Sequence, residues 1–291
     1  MAQPVVVQTG VSERDDVSFF TEGRHTDVEF LVEYGSDPPK SFRAHKTVLA
    51  MRNEVFEAMF YGGLAEGDKV TITDLHPDGF STFLRYLYSQ KAVFSNIQQA
   101  LRTRTAANKY MDSKLVVNCD VFIRNSMQPS DVCDVLEYAM EHENLAKFDD
   151  LIEKHLETKS SEVLESNAFI ASSRETVFKI LKNPRLRIKE YHVIKSVYAW
   201  ALVHCEQGTD ESSTAALQRA MKPFLPELRF LTLTPLEFVN GPSSWNIFTE
   251  SEAFAVLSNI INRGSKNLPE GICSITVDRT YTVQVQKPYG Y

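Results

Sequence analysis

Apolar and polar residues first alternate at 27–33, "DVEFLVE", with Val28, Phe30 and Val32 on one side and Glu29 and Glu33 on the other. A period of two predicts a half-buried strand. "YGSDPPK" supplies turn chemistry, "SFRA" reads as a short returning strand, and "KVTITD" predicts a third, with Val70 and Ile72 sharing a face. Between the second and third strands the period lengthens to that of a helix. Val48, Leu49 and Arg52 suit one short helix, and Val55, Phe56, Met59 and Phe60 a second, broken at Arg52-Asn53. In "HPDGFSTFLRYLYS", Phe80, Phe83, Leu84, Leu87 and Tyr88 form one stripe, and Pro77 suits a helix start. The first unit is therefore predicted to be α+β: a small sheet covered by helices.

Beyond about residue 127, helical spacing takes over. "QPSDVCDVLEYAMEH" predicts a helix with Ser130 as its N-cap and Val132, Val135, Leu136, Ala139 and Met140 on its apolar face. Further stripes follow at Leu151, Ile152 and Leu156, at Val177, Ile180 and Leu181, and at Val193, Ile194, Val197 and Ala201. Short polar joints such as "KNPRLR" predict helical hairpins, with the domain boundary at "QPS", residues 128–130. The end of the chain alternates again. In "ICSITVDRTYTVQVQ", Ile275 and Val277 precede Asp278-Arg279 and Val283 and Val285 follow, predicting a β-hairpin that is marginal in isolation.

Composition narrows the class. At 291 residues, 43% apolar and 24% charged, the chain suits two modest globular domains. A net charge of −7 without a Lys/Arg-dense block argues against a nucleic-acid or anionic-membrane footprint. No apolar run approaches the roughly 20 residues needed to span a bilayer, and "MAQPVVVQTG" lacks the features of a signal peptide. Cys119, Cys133, Cys205 and Cys273 are widely spaced, and no Asn-x-Ser/Thr acceptor occurs. Reduced thiols in a cytoplasmic or nuclear protein are the expectation.

Catalytic and cofactor patterns are not found. Gly62-x-x-x-x-Gly67 has the glycine spacing of a phosphate loop, but Asp68 and Lys69 stand where Lys and Ser/Thr are needed, and the segment follows a helix. The seven histidines never adopt zinc-ligand spacing. His204-Cys205 are adjacent, so on a helix they diverge by about 100° and do not face each other. No enzyme, metal or cofactor is expected.

"DVEFLV", "FRAHKTVLAMRNEVFEAMF", "VTITDLHPDGFSTFLRYLYS" and "AANKYM", in this order, resemble the BTB/POZ domain. The signature residues are Ala44, His45, Lys46 and Leu49, followed by Phe56, Met59 and Phe60. The helices beyond 130 are similar to a BACK domain. "SVYAWALVHCEQG" and "LTPLEFVNG" resemble the branch that ends in a PHR β-sandwich, and "ITVDRTYTVQVQKPYGY" is similar to its beginning. The resemblance implies an α+β BTB/POZ domain at 25–127 and an all-α BACK domain at 128–240. A helical extension at 241–270 and an incomplete PHR-like β segment at 271–291 complete the division. Residues 1–24 form an N-terminal segment whose "PVVVQ" is either a strand exchanged between protomers or an unanchored tail.

The function implied is that of an adaptor. It would dimerise with itself or a related BTB protein, dock on the N-terminal domain of cullin-3, and present a protein substrate for ubiquitination. The alternative is a scaffold or regulatory dimerisation partner outside any ligase. The family's cullin contact, an apolar residue, any residue, then Glu, falls on Leu64, Ala65 and Glu66. Read locally, the same stretch is either that handle or a solvated loop whose Leu64 folds back on the core. Asp27 matches a family acid near the dimer interface and could equally cap a helix end or a strand start; His45 and Lys46 shape a helix start. Arg104 stands where the resemblance implies a core leucine, so its guanidinium must be paired or snorkel outward.

Overall fold

Three short strands form one sheet in the order β2-β1-β3. β1 (Val28–Val32) pairs antiparallel with β2 (Lys40–Ala44), Phe30 opposite Phe42. It pairs parallel with β3 (Lys69–Ile72), Val32 opposite Ile72. The computed structural model describes residues 20–36, 38–63, 65–142, 147–205 and 212–280. The predicted alternation holds: Val28, Phe30, Val32, Val70 and Ile72 are buried on the core side.

α1 (Lys46–Arg52) and α2 (Glu54–Tyr61) flank the predicted break. Asn53 makes that break a junction. Its Oδ1 accepts from the Val55 and Phe56 amides at 3.0 and 3.3 Å, capping α2, while its Nδ2 donates to the Tyr110 carbonyl at 2.8 Å. α3 (Pro77–Ser89) starts at Pro77, with His76 Nδ1 accepting from the Asp78 amide. α4 (Ile97–Lys109) and α5 (Ser113–Ser126) complete the first unit. Gly79 allows α3 to approach α4, since a Cβ there would lie 2.4 Å from the Arg102 carbonyl oxygen. The core is aromatic: Tyr110 stacks on Phe56 and Phe83 at 4.5 and 5.1 Å between centroids, and Phe30 meets Phe80 edge-on at 5.1 Å.

Arg104 resolves as the paired alternative. Its Nε donates to Asp120 Oδ1 at 2.7 Å, with the two side chains only 6% and 9% exposed. The helix around it is regular, and α5 supplies the acid that a core leucine would not need.

The chain divides into residues 1–126 and 127–291. Among the described residues the second unit is helical throughout its regular structure. α6 (Val132–Glu141), α7 (Asp149–Thr158), α8 (Ser160–Leu164) and α9 (Asn167–Ala171) lead to α10 (Arg174–Lys182) and the long α11 (Glu190–His204). α12 (Ser213–Met221), α13 (Pro235–Phe238) and α14 (Glu250–Ile261) follow, the last two starting with reciprocal Thr-Glu caps. Most of the apolar stripes read from the sequence are buried, among them Val177, Ile180, Leu181, Val193, Ile194, Val197 and Ala201, while Met140 and Leu151 are half-buried.

Two expectations fail. Ser130 does not cap a helix: Pro129–Asp131 forms a 3-10 turn, and Asp131 accepts from the Gln128 amide at 2.7 Å. A proline followed by an acid satisfies the free amide from the other end of the turn. Ile275 and Val277 do not form a strand, and Val283 and Val285 lie outside the described residues. What holds the 275–280 stretch is side-chain chemistry. Arg279, buried, bonds Glu190 through Nε at 2.8 Å, the Leu181 carbonyl through Nη1 and the Glu227 carbonyl through Nη2. Asp278 accepts from the Glu190 amide, and Arg229 Nη1 donates to the Val277 carbonyl.

Candidate functional site

The signature residues divide by role. Ala44, Leu49, Phe56 and Phe60 are buried core, and Met59 packs partly buried against it. His45 joins distant segments: its amide donates to Tyr88 Oη at 2.9 Å, its Nδ1 lies 2.8 Å from the same hydroxyl, and its Nε2 lies 2.7 Å from the Arg24 carbonyl. Burial pushes the Tyr88 phenol up to about 12, the bond from the His45 amide opposing it, so it is neutral and can donate. Asp27 Oδ1 accepts from the Lys46 amide at 2.7 Å and so caps α1 from the start of β1. This is a capping role, at the opening of a helix rather than of a strand.

Lys46 begins the exposed part of the site. Its ammonium bonds Asp68 at 2.7 Å and lies 5.4 Å from the centre of the Phe60 ring. The hydrogen bond and charge of Lys46 hold the Asp68 carboxyl below the usual carboxylate range. α2 buries Phe56 and Phe60 and turns Glu54, Glu57, Ala58 and Tyr61 to solvent, positions that share one helical face. It ends at Gly62, whose amide bonds the Ala58 carbonyl; a Cβ at Gly62 would sit 2.3 Å from that oxygen.

The connection to β3 is tied at two points. The Glu66 amide donates to the Met59 carbonyl at 2.8 Å, and Asp68 is held by Lys46. Ala65, just before the first tie, and the Glu66 side chain are exposed. The Glu66 carboxylate makes no hydrogen bond or ion pair among the described residues, leaving its oxygens open to a partner's donors. Burial, then the charges of Asp74 and Glu66, push the Tyr110 phenol up, which places Glu66 near that end of the core. Leu64 lies outside the described residues.

The periodicity did not single out three exposed apolar residues of the first unit. Met51 at the end of α1 is 78% exposed, Tyr61 is 59% exposed, and Met111 is 80% exposed in a left-handed turn, φ 56°, between α4 and α5. Met111 follows Tyr110, whose carbonyl receives Asn53, so it stands next to the start of α2. The cap itself was readable, since Asn53 precedes a first turn bearing Glu54 and Glu57. Nothing local marks Met111.

His204 and Cys205 do not form a pair: the imidazole stacks on Trp200, and the thiol donates to the Leu202 carbonyl. Among the described residues no group of histidines, cysteines and carboxylates could hold a metal, and no helix is long and apolar enough to cross a membrane.

Residues 17–127 match the family model of the BTB/POZ domain. BTB/POZ domain-containing protein 6-A of Danio rerio is 32% identical over 259 residues, covering 84% of this chain and 45% of that protein. BTB/POZ domain-containing protein 6 of Homo sapiens is 31% identical over 252 residues, with shares of 84% and 45%. BTB/POZ domain-containing protein 3 of Homo sapiens is 29% identical over 240 residues, with shares of 80% and 44%. The chain thus spans about half the length of the curated relatives it matches. Among solved structures, the BTB domain of zebrafish PATZ1 is 23% identical over 43% of this chain and 100% of that one, with a TM-score of 0.33. Residues 17–127 of this chain are a BTB/POZ domain.

Proposed function

We propose that this chain is a non-catalytic adaptor that dimerises through its BTB/POZ domain and docks on the N-terminal domain of cullin-3. On this reading Leu64-Ala65-Glu66 is the docking handle, and residues 128–240 are a BACK domain that carries the unit holding a protein substrate. The setting is the cytoplasm or nucleus. The observation that carries the reading is the connection after α2, tied by Glu66 to Met59 and by Asp68 to Lys46, with an unengaged Glu66 carboxylate facing solvent. With its backbone amide anchored, Glu66 needs little further ordering to present its carboxylate to a partner. Tyr61, exposed and directly before Gly62, offers apolar surface beside it.

Calorimetric titration with the cullin-3 N-terminal domain tests this. We expect Leu64→Ala with Glu66→Ala to weaken binding by about 2 kcal/mol or more, as loss of a hot-spot pair does. Unchanged affinity would remove the handle. No binding by the folded wild-type chain would replace the adaptor with the scaffold reading.

A further inference from the structure

The second unit contains a cleft of about 560 Å³, walled by the connection after α10, by Arg229 and by residues 275–279. Four arginines line it, and three have partners. Arg279 is neutralised by Glu190, and Arg229 donates to the Val277 carbonyl. Arg185 stands 3.6 Å from both Glu153 and Glu157.

Arg187 differs. Its amide is anchored, to Ser160 Oγ at 2.9 Å and the Leu156 carbonyl at 3.3 Å, so its backbone is held in place. Its side chain makes no hydrogen bond or ion pair among the described residues, and its Nε is buried without an acceptor. The buried Nε is as far from a ligand in the cleft as from water, so it is the unengaged terminal nitrogens of the planar fork that select for an oxygen anion. The rest of the wall mixes apolar Pro184, Leu186, Ile275 and Val277 with Asn183 and with Asp278, whose carboxylate is engaged by the Glu190 amide and Thr280. Ile275 and Val277, 47% and 48% exposed, stand two positions apart on a segment outside any helix or strand. A lone oxyanion would satisfy Arg187 and leave that wall uncovered. An extended chain with alternating carboxylate and apolar side chains meets both.

We propose that this cleft binds an extended acidic peptide of a partner protein, with a carboxylate on Arg187 and a neighbouring apolar side chain against Ile275 and Val277. The inference does not rest on the cullin docking proposed for the first unit, and either can fail without the other.

Fluorescence anisotropy on the full chain tests it, using a labelled peptide Ser-Glu-Val-Glu-Val-Glu-Ser and the same peptide with Gln for each Glu. We expect the Glu peptide to bind at least about tenfold tighter than the Gln peptide, as close charge pairing allows. Arg187→Gln should abolish that difference, and Arg187→Lys should keep part of it, since charge remains without the planar fork. Equal binding of the two peptides to the wild type overturns the proposal, whatever the variants do. So does an undiminished preference in a folded Arg187→Gln chain. Displacement of the Glu peptide by inorganic phosphate at about 1 mM would overturn the peptide assignment in favour of a simple oxyanion site.

Discussion

Asp27 bonds the first amide of α1, and that bond has a measurable worth. Helix amides left without an acceptor at this position cost about 1 kcal/mol. We therefore expect Asp27→Ala to lower stability by about that amount in urea unfolding followed by circular dichroism, and Asp27→Asn to retain most of it. A dimerisation defect in the asparagine variant, seen by sedimentation, would add the interface role that the resemblance implies. The signature around it was legible as a string of letters, but its chemistry was not. His45 finds Tyr88, 43 residues away, and Asn53 finds Tyr110, 57 residues away, and no local spacing encodes either meeting.

The pairing of α4 with α5 depends on a buried charge. Removing one member of such a pair leaves the other uncompensated and costs about 3–5 kcal/mol, whereas replacing both with apolar residues is often neutral or stabilising. We expect Arg104→Met or Asp120→Leu alone to destabilise by that amount, and the double variant to recover most of it; a double variant as poor as either single one would show that the pair is not the issue. The strands and helices were legible because burial imposes a period on the residues. Phe80, Phe83, Leu84 and Leu87 reveal α3 in this way, and all four are buried. The same logic failed at Ile275 and Val277, where a period of two occurs without a partner strand among the described residues. Alternation states which side chains share a face and does not supply the neighbour that turns an extended segment into a sheet. The candidate site was legible in part: Glu66 through the motif, Tyr61 through nothing but its exposure in the fold.

Across the 291 residues the two units differ in what holds them: an aromatic core in the first, and in the second a helical core closed by ionic contacts at 277–280. The two carboxylates there titrate in opposite senses. Burial raises the Glu190 carboxyl, with the Arg279 charge opposing it most strongly, so its contribution to stability is present below its ordinary value and lost as pH rises through the folded one. Burial also pushes Asp278 up, but bonds from Thr280 and the Glu190 amide outweigh it and leave it lowered. Its contribution is present above its ordinary value and lost as pH falls through the folded one. In Arg279→Met, Glu190 loses its main counter-charge and rises further. We expect a deficit of about 3–5 kcal/mol at neutral pH that shrinks on acidification as Glu190 takes a proton. Trp200 and Trp245 both belong to this unit, so their fluorescence follows its unfolding; a deficit independent of pH would assign the loss to packing. The same clasp bears on how the protein is made. Arg279 bonds partners 98 and 89 positions earlier in the chain, at Leu181 and Glu190. At ribosomal speeds of about 5–20 residues per second, Glu190 is synthesised roughly 5–20 s before the cation that neutralises it. During that interval the nascent second unit carries a carboxylate destined for burial without its counter-ion, and its last step of consolidation waits for translation to deliver Arg279.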